Sequence, residues 1–120
     1  MCGVETLAPL MIDAAGRGRI TLNEVVQLLS ENPAKLFGIY PKKGSMELGS
    51  DADFTLVDMN KSHIIKESEL HSISKVTAFD GYKTKGYPVG TIVRGRTVMK
   101  DGQILSEPFG EFIPVKRRIK

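Results

Sequence analysis

The hydrophobic period of this chain changes once, near Gly38–Pro41, and that change limits what the chain can fold into. Upstream, apolar residues recur every three or four positions. Leu7, Leu10, Met11 and Ala14 within Glu5–Arg17 predict an amphipathic helix. Gly16 and Gly18 predict its end, with Arg17 and Arg19 suited to the negative end of the helix dipole. Thr21-Leu-Asn-Glu24 is a capping box, in which the hydroxyl and the carboxylate each satisfy an amide of the other residue. The helix it opens places Leu22, Val25, Val26 and Leu29 on one side. Asn32-Pro33 predicts a second helix start, an N-cap followed by proline at the first helical position, and the short helix Pro33–Phe37 stops at Gly38.

Downstream of Pro41 the pattern is that of short strands between turns. Ser45–Leu48 predicts a short strand, Gly49-Ser-Asp51 a turn, Asp53–Asp58 a mostly apolar strand and His63–Ile65 another short one. Glu67–Ile73 is compatible with one helical turn, and Phe79–Tyr82 with a turn or bulge. Val89–Val93, Arg94-Gly95 and Arg96–Met99 form the strongest hairpin signal, and Asp101-Gly102 turns the chain into Gln103–Leu105. From Ser106 onward the sequence predicts an extended, irregular tail. Helices first and strands afterwards predict an α+β fold: N-terminal helices, then mainly antiparallel strands. The expected segments are a helical one over 1–40, a strand-rich one over 41–106 and an extended basic tail over 107–120.

At 120 residues the chain is one domain or part of one, well short of a barrel enzyme. Apolar residues make up 41 % and charged residues 26 %, which argues against disorder. No apolar run approaches the roughly 18–20 residues that span a bilayer, and no basic region followed by an apolar stretch opens the sequence. A single cysteine, Cys2, excludes an internal disulfide and a cysteine-based zinc site and fits a reducing cytoplasm. The net charge of +3 is scattered, apart from Lys116-Arg-Arg-Ile-Lys120, so neither nucleic acid nor membrane is expected as a partner.

Residue types that carry chemistry are sparse. The two histidines, His63 and His71, belong to no His-x-His pair and no His-Glu-x-x-His helix, and are expected at the surface. Asp51, Asp53 and Asp58 are expected as turn and strand-end residues, with the Asp51 side chain bonding its own following backbone. Cys2 has no histidine partner in sequence that would make it a nucleophile. Gly44, Gly49, Gly95 and Gly102 are spaced as turn glycines, and no phosphate-binding glycine motif is present.

Three phrases in order carry a resemblance. They are Leu28-Leu-Ser-Glu-Asn-Pro-Ala-Lys-Leu-Phe-Gly38, Pro41-Lys-Lys-Gly-Ser-Met-Glu-Leu-Gly-Ser-Asp-Ala-Asp-Phe-Thr-Leu-Val-Asp58, and the run Phe79–Gly102 containing Tyr87-Pro-Val-Gly-Thr-Ile-Val-Arg-Gly-Arg96. From about Gly3 to Pro114 the chain resembles the C-terminal part of cyclic amidohydrolases, a group that includes dihydroorotase, hydantoinase and allantoinase. Gly3-Val-Glu-Thr6 leans to dihydroorotase. Tyr40-Pro-Lys-Lys-Gly44 and Glu107-Pro-Phe-Gly-Glu-Phe112 lean to hydantoinase and allantoinase.

The resemblance implies a (β/α)8 barrel flanked by a small β-sandwich built from both chain ends. Glu5–Phe37 would be the last barrel helices, and Ser45–Leu105 the C-terminal half of the sandwich. It also implies, in the full-length parent, a binuclear zinc centre bridged by a carboxylated lysine, with a cyclic amide as substrate. Its ligands would all lie upstream of Gly3, so no metal ligand, catalytic residue or bound cofactor is expected in this chain. Gly3 is the one position offered as a substrate neighbour, beside its reading as a glycine that permits a tight turn into the first helix. The expectation is a chain inactive alone, or a non-catalytic structural and interaction module, that self-associates or docks on a complementary barrel chain. A truncated piece, a remnant reading frame and a separately encoded segment all fit the sequence.

Overall fold

Thr21 opens the second helical stretch in the way its capping box requires. In the computed structural model, which describes residues 3–115, the Glu24 amide donates to the Thr21 hydroxyl (3.2 Å) and the Thr21 amide to the Glu24 carboxylate (2.7 Å). The elements are α1 (Val4–Gly16), α2 (Leu22–Val26), a π turn (Gln27–Glu31), α3 (Asn32–Leu36), β1 (Phe54–Ile64), a 3-10 turn (Glu67–Glu69), β2 (Lys83–Val93), β3 (Arg96–Lys100) and β4 (Gln103–Ile104). The four strands form one sheet in the order β1-β2-β3-β4, with β2/β3 and β3/β4 antiparallel. Helices followed by an antiparallel sheet is the α+β order that the sequence predicts.

Two compact units make up the chain: Met1–Val25 with Leu56–Val89, and Val26–Thr55 with Gly90–Lys120. In the first unit α1 ends in a Schellman motif, with Arg19 N–H donating to Ala14 O (2.9 Å), Gly18 N–H to Ala15 O (3.0 Å), and Gly18 at φ +73°. The buried face of α1 carries Thr6, Pro9, Ile12 and Asp13. This corrects the predicted stripe, because Leu7 is exposed and Leu10, Met11 and Ala14 are only partly covered. Polar residues can occupy the inner face here because each is bonded, as set out below for Asp13. Gly16 and Gly86 permit close approach. A Cβ on Gly16 would sit 2.5 Å from Lys85 O, and one on Gly86 (φ +87°) 2.9 Å from Ile12 Cγ2. Ile12, Ile65, Leu70 and Thr84 form the buried centre, and the Thr84 hydroxyl donates to His63 O (3.2 Å).

In the second unit the two hairpin turns follow the sequence closely. Arg94 (φ +46°) and Gly95 (φ +78°) connect β2 to β3, and Asp101 (φ +47°) with Gly102 (φ +79°) connects β3 to β4. Both are two-residue turns with positive φ at each position, the geometry that matches strand twist. A bulge interrupts the β2/β3 register between Thr91 and Ile92. Arg94 also organises the start of the tail. Its guanidinium donates to Phe109 O, and the Arg94 and Arg96 guanidiniums lie 4.6 and 4.7 Å from the Phe109 ring centre. Through Val115 the described tail has no helix or strand.

Three local expectations are corrected. Asn32 does not cap a new helix: it has helical dihedrals (φ −65°, ψ −44°), and its amide donates to Gln27 O, five residues back. Pro33 has no amide for the Leu29 carbonyl, and a π turn just ahead of it absorbs the misfit without ending the helical path. Ser45–Leu48 is a turn rather than a strand, closed by Glu47 N–H to Ser45 Oγ (3.2 Å) and Ser50 N–H to Glu47 O (3.1 Å). Local bonds satisfy that backbone, and Met46 and Leu48 are 84 % and 106 % exposed, with no sheet face to pack on. The strands expected at Asp53–Asp58 and His63–Ile65 are one strand, β1, so Asp58 lies inside it rather than at its end. Its carboxylate accepts from Asn60 N–H (2.9 Å).

Candidate functional site

Gly3 occupies the N-cap of α1 with φ −98° and ψ 0°, and a Cβ placed there would meet nothing within 4 Å. The local backbone therefore lies in the right-handed region, with open space beside it. The Gly3 carbonyl accepts from the amides of Thr6 (3.2 Å) and Leu7 (2.9 Å). With no side chain, Gly3 caps no helix amide.

Two residues on, Glu5 turns its carboxylate to the Leu70–Ser74 loop. Its Oε1 accepts from the amides of His71 (2.8 Å) and Ser72 (2.8 Å), and its Oε2 from the His71 amide (2.9 Å). His71 Nδ1 lies 3.0 Å from the same Oε2. Burial pushes the Glu5 carboxyl upward, yet the bonds from His71 and Ser72 outweigh it and hold the group below the usual carboxylate range.

Near the other end of α1, Asp13 is buried and bonded on both oxygens. Oδ1 accepts from Lys85 N–H (2.6 Å) and Arg17 Nε (2.9 Å), and Oδ2 from Arg17 Nε (2.8 Å) and the Tyr82 hydroxyl (2.9 Å). Arg17 Nη2 continues to Lys83 O (3.0 Å). Burial again raises the carboxyl, and the Arg17, Lys85 and Tyr82 bonds more than reverse it. This is a structural brace between α1 and β2, with every acceptor position taken by the protein itself.

The other sequence candidates fall apart from these and from one another chemically. His63 stacks on Tyr87 (ring centres 4.0 Å apart), with its Nε2 3.3 Å from Glu69 Oε2. His71 is exposed and paired with Glu5. Both histidines are at least partly exposed, as expected. Asp51 does not bond its own following backbone. Its Oδ1 pairs with Lys42 Nζ (2.9 Å) and its Oδ2 with Lys43 Nζ (2.9 Å), because Lys42 and Lys43 stand opposite it across the turn. Asp53 pairs with Lys43 (2.6 Å) and accepts from Arg94 N–H (2.9 Å). A cavity of about 290 Å³ in the second unit is walled by Leu29, Pro33, Phe37 and Ile39, with Lys43 and Asp53 at its polar side. Those two charges already neutralise each other. Cys2 and Lys116–Lys120 lie outside the described residues.

Among the described residues no three His, Cys, Asp or Glu side chains are grouped so as to hold a metal ion. The residues present do not fit the zinc centre that the resemblance implies, since the carboxylates at Glu5, Asp13, Asp51 and Asp53 are each committed to a cation or to amides of the chain. No helix among the described residues is long and apolar enough to cross a membrane.

Comparison with known proteins decides the family. The sequence pattern of the amidohydrolase family matches residues 1–98. The chain belongs to the amidohydrolase family. It is 42 % identical over 113 residues to the L-hydantoinase of Paenarthrobacter aurescens, a match covering 92 % of this chain and 25 % of that protein. Against the dihydroorotase of Pyrococcus furiosus it is 41 % identical over 114 residues, covering 95 % and 27 %. Among solved structures, L-hydantoinase (dihydropyrimidinase) from Arthrobacter aurescens superposes with a TM-score of 0.85 at 42 % identity, over 88 % of this chain and 24 % of that one. A D-hydantoinase structure gives 0.83 at 33 % identity. The chain thus spans about a quarter of the length of the curated amidohydrolase relatives it matches.

Of the residues in these contacts, the sequence pointed to His71 as a surface histidine and to Arg17 as a helix-end cation, but not to their carboxylate partners. Asp13 carried one usable signal, an arginine four residues on at the helical ion-pair spacing. For Glu5 and His71, whose separation is 66 residues, no local pattern points to the pairing.

Proposed function

We propose that this chain is the C-terminal portion of a metal-dependent cyclic amidohydrolase whose parent hydrolyses the C–N bond of a cyclic amide, of dihydroorotase or hydantoinase type. The observation that carries the reading is the near-complete coverage of this chain against about a quarter of each relative. In this reading the helices over 1–40 end the barrel, 41–106 supply the C-terminal part of the sandwich, and 107–120 form the tail. Gly3 neighbours the substrate. The zinc ligands, outside this chain, belong to the rest of the cytoplasmic parent. The chain alone is inactive, because a metal-activated water needs ligands that converge.

The test is a graft. The chain replaces the matching quarter of the Paenarthrobacter aurescens L-hydantoinase, and the zinc-loaded product is assayed with hydantoins and dihydroorotate. The graft is expected to turn over one of these cyclic amides, and the isolated chain none. Reproducible hydrolysis by the pure isolated chain would overturn the inactive-alone reading, and a folded but dead graft would count against the parent assignment.

A second reading, a non-catalytic interaction module, is favoured by the apolar side chains the chain leaves in solvent. Val4, Leu36, Phe37 and Phe112 are all more than two-thirds exposed. It predicts self-association or docking to a complementary barrel chain. Sedimentation as a monomer across a wide concentration range, with and without a barrel partner, would exclude it.

A further inference from the structure

We propose that Glu5 is a positioning residue: by gripping the Leu70–Ser74 loop it fixes the first turn of α1, and with it Gly3. The substrate side of this inference rests on the reading of Gly3 as a substrate neighbour. The mechanical side does not.

The first turn of α1 lacks the usual supports. Gly3 has no side chain to cap it. Pro9 lies inside the helix and has no amide to give, so the Glu5 carbonyl receives no ladder bond from four residues on. The Glu5 side chain is therefore the strongest attachment this turn has. It accepts from two consecutive amides, His71 and Ser72, and meets the His71 ring. A carboxylate taking several such bonds is held more firmly than a neutral acceptor.

The loop it grips is itself tied down. Leu70 is buried, its amide donates to Glu67 O (3.2 Å), and its carbonyl accepts from the Lys75 ammonium. Ser72 Oγ donates to Ser74 O (3.1 Å). Glu67 in turn donates its amide to Asp80 Oδ1 (2.8 Å) and accepts from Thr77 N–H (3.0 Å). Gly3 is joined to this chain of contacts through the Thr6 and Leu7 amides that its carbonyl receives.

Amide hydrogen exchange by NMR on the 120-residue chain tests the inference. Glu5→Ala is expected to speed exchange at Thr6, Leu7 and Ser72 by about tenfold or more, the scale of a lost charge-assisted bond. Arg17 and Gly18, at the far end of α1, should be unchanged. Glu5→Gln keeps the length and one acceptor and is expected to restore part of the protection; it also carries the test if the alanine variant does not fold. His71→Ala leaves both backbone bonds in place and should move Thr6 and Leu7 by no more than about twofold. Unchanged exchange at Thr6 and Leu7 in both Glu5 variants overturns the proposal, as does equal acceleration along the whole of α1. In the hydantoinase graft, Glu5→Gln should raise KM more than it lowers kcat; the reverse split also overturns it. A graft already dead with Glu5 in place removes the parent assignment and leaves the exchange result to decide the positioning role.

Discussion

Asp13 in the first unit and Asp51 in the second are both carboxylates held by cations, but their settings differ. Asp13 sits among packed side chains and takes a guanidinium, a backbone amide and a phenol. Asp51 sits in a loop between two lysines, one of them 56 % exposed. The surroundings differ in the same sense. Ile12, Val25, Ile65 and Leu70 back the first unit, whereas Ala34 is the one buried apolar residue among the described residues of the second. A bonded carboxylate inside a core is costly to disturb, because its own burial goes uncompensated once its bonds are lost, while an exposed ion pair contributes little. The first unit is thus held by an arrangement that fails abruptly, the second by turns and ion pairs that can be trimmed one at a time.

The largest test of that contrast is Asp13→Asn. It leaves Arg17 without its counter-charge and sets an amide NH2 against donors, so urea unfolding should show a loss of about 3 kcal/mol. A loss below about 1 kcal/mol would reduce Asp13 to the standing of a surface pair. Gly86→Ala comes next, at about 2 kcal/mol, since it combines a left-handed backbone with a Cβ 2.9 Å from Ile12 Cγ2. Repacking that left the midpoint unmoved would mean that the first unit is looser than its geometry.

Acid should act more gradually. Glu5, Asp13 and Glu24 in the first unit, and Asp51 in the second, titrate lower in the folded chain than when unfolded. The unfolded chain therefore takes up protons first. Stability from these groups is whole above the ordinary carboxylate range, about pH 4, and is lost as the pH falls through their folded values. Residue-resolved exchange from pH 6 downward should weaken the first unit before the second; the opposite order would break the contrast. The smallest effect is expected at Lys42→Met, below about 1 kcal/mol, because Lys42 is 56 % exposed and Lys43 remains to pair with Asp51.

What the sequence made legible was short in range. The Thr21–Glu24 box, the Gly18 helix stop and the Arg94-Gly95 and Asp101-Gly102 turns all stand where their residues indicate, because each is closed by neighbours a few positions away. Asn32-Pro33 misled because a proline that opens a helix and a proline accommodated by a π turn share the same dipeptide. Ser45–Leu48 misled because apolar alternation predicts a strand only where a partner face exists. The site was harder still. The roles of Glu5 and Asp13 depend on partners 66 to 72 residues away, beyond any local pattern.

That separation also orders events in time. Asp13 and the Lys85 amide lie 72 residues apart, so at roughly 5–20 residues per second a ribosome makes the acceptor about 4–14 s before its donor. Through that interval α1 can form, but its inner face carries a hydrated carboxylate with only Arg17 at hand. The β2–β4 meander, whose strands are joined by two-residue turns, needs no such wait once it emerges. α1 is therefore synthesised well before the strand that seats its inner face.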